Sequence, residues 1–314
     1  AVSVALAPGE SVTVSASLAT DGPTAAARLA TQRTAAVKPT TGDGPVAKRP
    51  TTNTAPADRV ADALRRAAAS FLVRREEPEN DANDAASTGW TVLAGYHWFG
   101  DWGRDTFIAL PGLARLTGRH DVAREVLRSW ARAVSQGMLP NRFPDSGAPL
   151  GEGDFNTVDA TLWFVRAIGE IDALGGAPRG TELSKELWPA VNAIVDAHLT
   201  GTRHGIGMDP TDGLLRTSDG QLTWMDARVD GEDQTPRAGK PVEVNALWIH
   251  ALDRAVTWAR AAGDTLTATR YKAALDLAMR SFPARFWWAG TGPGAHGIVG
   301  TGGYLFDCID GPNG

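Results

Sequence analysis

The chain has 314 residues, 43% of them hydrophobic, a composition that supports a packed core and excludes disorder of the chain as a whole. Its net charge of -5 argues against a nucleic-acid partner, because proteins that bind polyphosphates usually present a basic face. The single cysteine, Cys308, cannot form an internal disulfide, and no apolar run approaches the roughly 18 residues that span a membrane. These features favour a cytoplasmic protein with no membrane partner.

The first 56 residues have no helical pattern. Residues 2–6 and 12–16 alternate apolar with small or polar positions on either side of a Pro-Gly pair, which predicts a β-hairpin. Because two strands alone are marginal in water, we interpret residues 1–20 as the tail of an N-terminal β-rich domain. Residues 21–56 are rich in Ala, Thr, Pro and Gly without periodicity, so they are predicted to be a linker.

From Asp58 onward the apolar positions recur with a helical period, and residues 60, 64, 68, 71 and 72 form the first apolar stripe. Further helices are predicted over residues 105–117, 121–136, 157–174, 181–199, 242–262 and 265–286. Helix follows helix with no parallel strand between them, which excludes a doubly wound sheet. We therefore expect residues 57–314 to form a mainly α domain that is truncated at its C-terminal end.

One long segment between the predicted helices, residues 201–240, contains few helix-forming residues. Pro210 and the Asp212-Gly213 pair predict a tight turn or hairpin within it. Ordered loops of this length in a helical domain are often functional. Residues 292–297 match the pattern GxGxxG, but no strand precedes them and Pro293 interrupts them, so we predict no dinucleotide site.

Four clusters place acidic or amide side chains within a few residues of a tryptophan. Such mixtures suit a neutral sugar, because aromatic rings pack against sugar C–H groups while carboxylates and guanidinium groups bind the hydroxyls. The clusters contain Trp98, Trp102, Arg104 and Asp105; Asn156, Asp159 and Trp163; Trp224 and Asp226; and Glu243, Asn245 and Trp248. The sequence therefore predicts a carbohydrate site.

Structural roles compete with this interpretation. The tryptophans are equally typical of a hydrophobic core. Helix capping would account for Asp105, Asn156 and Asp159, and a helix first turn for Glu243 and Asn245. Asp226 is different, because it follows Trp224 in a loop with no helix to cap. A functional role is therefore favoured most strongly for Asp226.

Other chemistries have no support in the sequence. The six histidines are scattered without the spacing of metal ligands, and there is no serine-nucleophile elbow or phosphate-binding loop. Cys308 is more readily explained as an inert thiol than as a nucleophile. We therefore expect neither a metal nor a cofactor, and carboxylate chemistry on a sugar remains.

Four segments resemble the glycogen debranching enzymes, specifically their amylo-alpha-1,6-glucosidase domain. They are residues 95–110, 155–163, 222–227 and 235–248, which occur in the family's order. The resemblance extends from about Ser70 to Pro312. It implies a partial (α/α)6 toroid with about seven of twelve helices, preceded by a β-rich domain, so both ends of the chain are expected to be cut from a longer polypeptide.

The resemblance also implies roles for the clustered residues. Arg104 and Asp105 would bind the outer hydroxyls of a terminal glucose, and Trp98 and Trp102 would wall its subsite. Asp226 would be the general acid, with a pKa that burial beside Trp224 is expected to raise. The remaining substrate-binding residues would be Asn156, Asp159, Trp224, Glu243 and Asn245.

The function implied is inverting hydrolysis of alpha-1,6 branch points in glycogen or limit dextrin. The general base would be a glutamate beyond residue 314, so this fragment is expected to be inactive by itself. Two alternatives stay open at this point. One is a glucoamylase-like or trehalase-like hydrolase on the same toroid, and the other is a non-catalytic glucan-binding toroid.

Overall fold

The computed structural model describes residues 56–76, 88–96, 98–144, 148–174, 182–289 and 303–311. The predicted N-terminal hairpin, the linker up to residue 55 and the glycine-rich match at residues 292–297 lie outside these ranges. Within them the protein is mainly α-helical, as the sequence predicted.

The described residues form seven α-helices. They are α1 (Pro56–Ser70), α2 (Gly103–Thr117), α3 (His120–Ala131), α4 (Asp159–Leu174), α5 (Glu182–Thr200), α6 (Val242–Ala261) and α7 (Thr265–Phe286). Helix α2 is followed by the C-cap residue Gly118, whose φ of 71° suits glycine at this position. Helix α7 begins where the Asp264 carboxylate accepts a hydrogen bond from the Thr267 amide at 3.0 Å. None of these helices is both long enough and apolar enough to cross a membrane.

Two helices are shorter than their apolar patterns predicted. Helix α1 ends at Ser70 because the next residues enter β1 (Leu72–Glu76), which pairs antiparallel with β2 (Thr88–Val92). Helix α3 ends at Ala131, since the backbone then turns and exchanges hydrogen bonds between Ser135 and Met138. In both cases backbone pairing overrides the side-chain periodicity.

The remaining strands are short antiparallel pairs between the helices. They are β3 (Gly207–Met208) with β4 (Leu215–Arg216), β5 (Arg228–Val229) with β6 (Glu232–Asp233), β7 (Lys240–Pro241) with β10 (Cys308–Ile309), and β8 (Trp287–Trp288) with β9 (Tyr304–Leu305). The β3–β4 pair confirms the hairpin predicted around Asp212 and Gly213. The β7–β10 pair joins the start of α6 to a segment that follows α7.

The core lies between the helices and is built largely from aromatic and aliphatic side chains. Helix α6 packs along α7 and against α4, which in turn packs against α2. The Phe107 ring contacts Trp130 and Phe164 edge to face, with ring centroids 5.1 and 5.2 Å apart. Trp130 and Trp248 are fully buried, so the structural interpretation holds for these tryptophans. The closed ring of twelve helices remains a prediction.

Asn245 attaches the β3–β4 hairpin to the first turn of α6. Its side-chain oxygen accepts from the Leu215 amide at 2.6 Å, and its nitrogen donates to the carbonyls of Leu215 and Pro241 at 3.0 and 2.9 Å. The side chain is completely buried. The structure therefore gives Asn245 a role in holding the backbone, and its amide has no donor left for the sugar contact that the sequence suggested.

The buried Lys240 also holds the β3–β4 hairpin in place, through ion pairs. The Lys240 ammonium lies 2.9, 2.7 and 2.8 Å from carboxylate oxygens of Asp209, Asp212 and Asp310. Arg285, in the last turn of α7, pairs with Asp212 and Asp310. These ion pairs join the β3–β4 turn, β7, β10 and α7, so Lys240 is the centre of a network that holds one side of the domain together.

We expect Lys240→Met to lower the free energy of unfolding by about 3 kcal/mol, because it leaves carboxylates without their buried partner. Lys272→Met is the matched control, since it removes an exposed lysine that pairs with Asp276 one helical turn away. The control should cost less than about 0.5 kcal/mol. Urea unfolding followed by circular dichroism measures both, and equal costs would contradict the network's importance.

Acid should weaken this network. Hydrogen bonds from Lys240 and Thr211 hold the pKa of Asp209 well below its ordinary value of 3.8, and Lys240 also lowers the pKa of Asp310. The folded state therefore binds fewer protons near pH 4, so this stabilisation is present above about pH 4 and is lost as the pH falls further.

We expect the free energy of unfolding to drop between about pH 5 and pH 3, and to drop less in Asp209→Asn than in the wild type. Urea titrations at the two pH values measure the difference. The same drop in both proteins would show that Asp209 does not contribute.

Candidate active site

The guanidinium group of Arg104 joins three parts of the chain. Arg104 lies in the first turn of α2, and its Nε and Nη2 donate to the two carboxylate oxygens of Asp159 at 2.7 and 3.0 Å. Its Nη1 lies 3.5 Å from a carboxylate oxygen of Asp226. Asp159 is 55 residues and Asp226 122 residues from Arg104 in sequence. The fold thus brings together members of three of the four predicted clusters.

The helix-cap alternative for this cluster is not supported. The N-cap position of α2 is Trp102, and Asp105 lies inside the first turn. At the start of α4, the Thr157 hydroxyl accepts from the Ala160 amide at 3.4 Å and donates to Asp159 at 2.8 Å. Because Thr157 takes the capping position, the buried Asp159 carboxylate is free to receive Arg104.

Charge is concentrated around Arg104. Burial disfavours the charged guanidinium, but the hydrogen bond and charge of Asp159, together with Asp226 and Asp105, outweigh burial and raise the pKa of Arg104. Desolvation by the surrounding protein raises the pKa of Asp105. The charge of Arg104 opposes this shift, whereas the charges of Asp159 and Asp226 add to it. Asp105 is exposed and lies within electrostatic reach of both other aspartates. The site therefore combines one permanent cation with three carboxyl groups.

The Asp226 loop is firmly held at its base and open at its tip. The Leu222 carbonyl accepts from the Val158 amide at 2.9 Å, which ties the loop to the residue preceding Asp159. Gln221 donates to the Asp226 carbonyl, and Leu222 and Thr223 are buried. The burial of Asp226 beside Trp224 that the sequence suggested is only partial. The Asp226 side chain is 38% exposed and Trp224 is 53% exposed.

Glu243 lies in a second ionic cluster. Arg237 donates to both Glu243 oxygens, with Nη2 to Oε2 at 2.6 Å, and to both Asp307 oxygens at 3.0 and 2.9 Å. Its Nη1 also lies 3.3 Å from the Thr223 hydroxyl in the Asp226 loop. The predicted pocket residue Glu243 is therefore paired with a buried arginine.

The remaining predicted residues are near the site in sequence but less clearly engaged. Trp98 is 84% exposed on the turn before α2. The Trp102 ring is half-buried, with the Arg142 guanidinium 5.4 Å from its centroid and Phe99 at 6.3 Å. Asn156 is half-buried and adjoins Thr157. Contact between these three residues and a sugar remains a prediction.

Sequence reasoning did not single out Arg237 or Asp307. Arg237 lies in the segment 235–248 that carries the resemblance, and its spacing of six residues from Glu243 is a weak signal of pairing. Asp307 follows the region of the last helix and has no neighbouring motif. The β7–β10 pairing in the tertiary structure brings Asp307 beside Arg237.

A metal centre has no candidate in the part of the chain that the structure describes. There, no group of three or more His, Cys, Asp or Glu side chains is arranged to hold an ion. The carboxylates near Arg104 and Arg237 are instead paired with guanidinium groups.

Similarity to solved structures is limited. A rhamnosidase from Klebsiella oxytoca with rhamnose bound is 21% identical, with a TM-score of 0.45, over 60% of this chain and 33% of its own. A bacterial glucoamylase complexed with acarbose is 16% identical, with a TM-score of 0.46, over 66% of this chain and 25% of its own. Both scores are too low to define how the helices are arranged.

Similarity in sequence is more informative. The chain is 34% identical over 67 residues to the glycogen debranching enzyme of Saccharomyces cerevisiae, a match that covers 21% of this chain and 4% of that enzyme. The chain therefore spans only a small part of that relative. Over residues 66–312, which is most of its length, the chain matches the model of the amylo-alpha-1,6-glucosidase family. The four clusters thus lie in one matched region, and the chain belongs to the amylo-alpha-1,6-glucosidase family of glycoside hydrolases.

Proposed function

We propose that this chain carries the general acid of a glycoside hydrolase site. The site cleaves alpha-1,6 glucosidic bonds at the branch points of glycogen or limit dextrin. The observation that carries the proposal is the convergence of Arg104, Asp159 and Asp226 on one point from three distant segments. Family membership supports the substrate class.

Asp226 is the general acid in this proposal. It is the member of the cluster on an open loop, with a side chain that remains 38% exposed and therefore accessible to a substrate. Asp159 is buried and committed to Arg104 through two hydrogen bonds, so it serves as a support. The protonated carboxyl of Asp226 donates its proton to the glycosidic oxygen as the bond to the leaving sugar breaks.

The glucose at the non-reducing end would bind beside the start of α2. Asp105 is exposed there and accepts hydrogen bonds from sugar hydroxyls, while Trp98 and Trp102 offer apolar faces. Arg104 contributes mainly by orienting its neighbours, because two of its three nitrogens already bind Asp159. This differs from the direct grip on the sugar that the resemblance implied.

An inverting mechanism requires a second carboxylate that activates a water molecule. This carboxylate lies about 6.5 to 9.5 Å from the general acid. Glu243 is a poor candidate, because both its oxygens are bound to Arg237. Glu243 is therefore not assigned as the general base, and rates are measured on the natural polypeptide that carries this sequence.

We expect Asp226→Asn to lower glucose release from a limit dextrin by about 10²- to 10⁴-fold, because an amide cannot supply the proton. Asp230→Asn is the matched control. It changes an exposed aspartate in the β5–β6 turn whose positive φ also suits asparagine, and it should retain full activity. Enzymatic glucose assay measures both.

Equal rates for Asp226→Asn and the wild type would remove the acid assignment. Running the wild type on maltose in parallel tests the linkage, since a glucoamylase-like enzyme would release glucose from an alpha-1,4 bond at least as fast. Binding of the dextrin without any glucose release would instead favour a glucan-binding protein.

Arg104→Lys should lower kcat/KM on limit dextrin by about 100-fold, because lysine cannot make the paired hydrogen bonds to Asp159 while facing Asp226. Arg128→Lys is a matched control on the surface, where Arg128 makes a similar two-point contact with Glu186 at 2.6 and 2.8 Å. The control should keep wild-type kinetics. Steady-state assays compare the two, and wild-type kcat/KM in Arg104→Lys would exclude a central role for Arg104.

A further inference from the structure

Arg237 is a buried cation whose hydrogen-bonding capacity is fully used. Its side chain is 3% exposed. The Nε group donates to Asp307, Nη1 donates to Glu243 and Thr223, and Nη2 donates to Glu243 and Asp307. A guanidinium has five N–H donors, so each one has an acceptor within the protein. Arg237 is thus equipped to hold protein groups together and has no donor to spare for a sugar.

The contact with Thr223 connects Arg237 to the proposed acid. The Thr223 hydroxyl oxygen accepts from Arg237 Nη1 at 3.3 Å and from the Met225 amide at 3.3 Å. Met225 immediately precedes Asp226. A displacement of the Thr223 hydroxyl would therefore shift the backbone that carries the Asp226 carboxyl group.

The other contacts of Arg237 give the loop a fixed reference. Glu243 belongs to the first turn of α6, and Asp307 immediately precedes β10. The Val242 amide donates to the Asp307 carbonyl at 2.9 Å, which joins Asp307 to the residue before Glu243. The backbone just after Arg237 is also tied down, since Thr217 and Gly239 exchange hydrogen bonds at 2.8 and 3.0 Å.

Arg237 keeps its positive charge among these partners. Burial opposes the charged form of Arg237, but the hydrogen bonds and charges of Glu243 and Asp307 outweigh burial and raise its pKa. Arginine therefore stays charged at every pH at which the enzyme would work. The contacts of Arg237 therefore persist over this pH range, unlike those of a histidine, whose charge changes near neutral pH.

We propose that Arg237 is a positioning residue that acts through the Thr223 hydroxyl to hold the Asp226 carboxyl group within reach of the glycosidic oxygen. This inference rests on the proposed role of Asp226 as general acid. Glu243 and Asp307 act as the anchors of Arg237, which replaces the substrate contact predicted for Glu243 by a supporting role.

The decisive variant is Thr223→Val in the natural polypeptide that carries this sequence. Valine has nearly the shape of threonine and removes only the hydroxyl that links Arg237 to the Asp226 loop. Thr223→Ser is the matched control, because it keeps the hydroxyl. Arg237→Lys is a second variant, since lysine keeps the charge but has three donors in place of the five that Arg237 uses.

Two substrates separate a misplaced acid from a general loss of structure. Cleavage of limit dextrin needs a proton on the leaving oxygen, whereas α-D-glucosyl fluoride releases fluoride, which has far less need of protonation. We expect Thr223→Val to lower kcat on the dextrin about tenfold and to change kcat on the fluoride less than about twofold. Thr223→Ser should match the wild type on both substrates.

Arg237→Lys should show the same selective loss, larger on the dextrin, together with a lower Tm. A proportional loss on both substrates in Thr223→Val, or no loss on either, would overturn the proposal. Asp226→Asn is measured beside these variants. If Asp226→Asn shows selective loss and Thr223→Val does not, only the positioning role fails. If Asp226→Asn itself lacks selectivity, the general-acid assignment fails.

Discussion

The paired hydrogen bonds between Arg104 and Asp159 allow a cluster of carboxyl groups to exist inside a helical domain. Asp159 is buried, and a buried carboxylate without a partner is strongly destabilising. The guanidinium compensates this charge and still faces Asp226 with its third nitrogen. Because Arg104 and Asp159 lie in the first turns of α2 and α4, their pairing also fixes these two helix starts side by side.

Buried cations paired with carboxylates occur at two further places in the described part of the chain. Arg237 joins the Asp226 loop to α6 and to the segment before β10. Lys240 joins the β3–β4 turn and β7 to the residue after β10, and Arg285 adds α7 to this network. In each case a buried cation is surrounded by carboxylates from separate segments. The helices pack through an apolar core, whereas the loops that form the candidate site are held by these ion pairs. Loop geometry is thus set by directional contacts, as a catalytic group requires.

The distribution of burial separates supporting residues from residues that can meet a substrate. Asp159, Arg237 and Asn245 are buried and bound to protein groups, and a sugar cannot reach them without displacing those partners. Asp105 and Trp224 are exposed, and the Asp226 side chain is partly exposed. Asp226 therefore lies in an accessible loop whose base is buried and hydrogen-bonded.

The sequence alone determined the helices, the β3–β4 hairpin and the acidic residues around tryptophan, because periodicity, turn chemistry and local composition are short-range properties. It also sufficed to identify Asp226 as an aspartate without a helix to cap. Only the tertiary structure decided which of these residues meet: the Arg104–Asp159 pair, the link from Arg237 to Asp307, and the use of Asn245 by the backbone. It also decided where α1 and α3 end. These features depend on contacts between segments tens of residues apart, which no local pattern encodes.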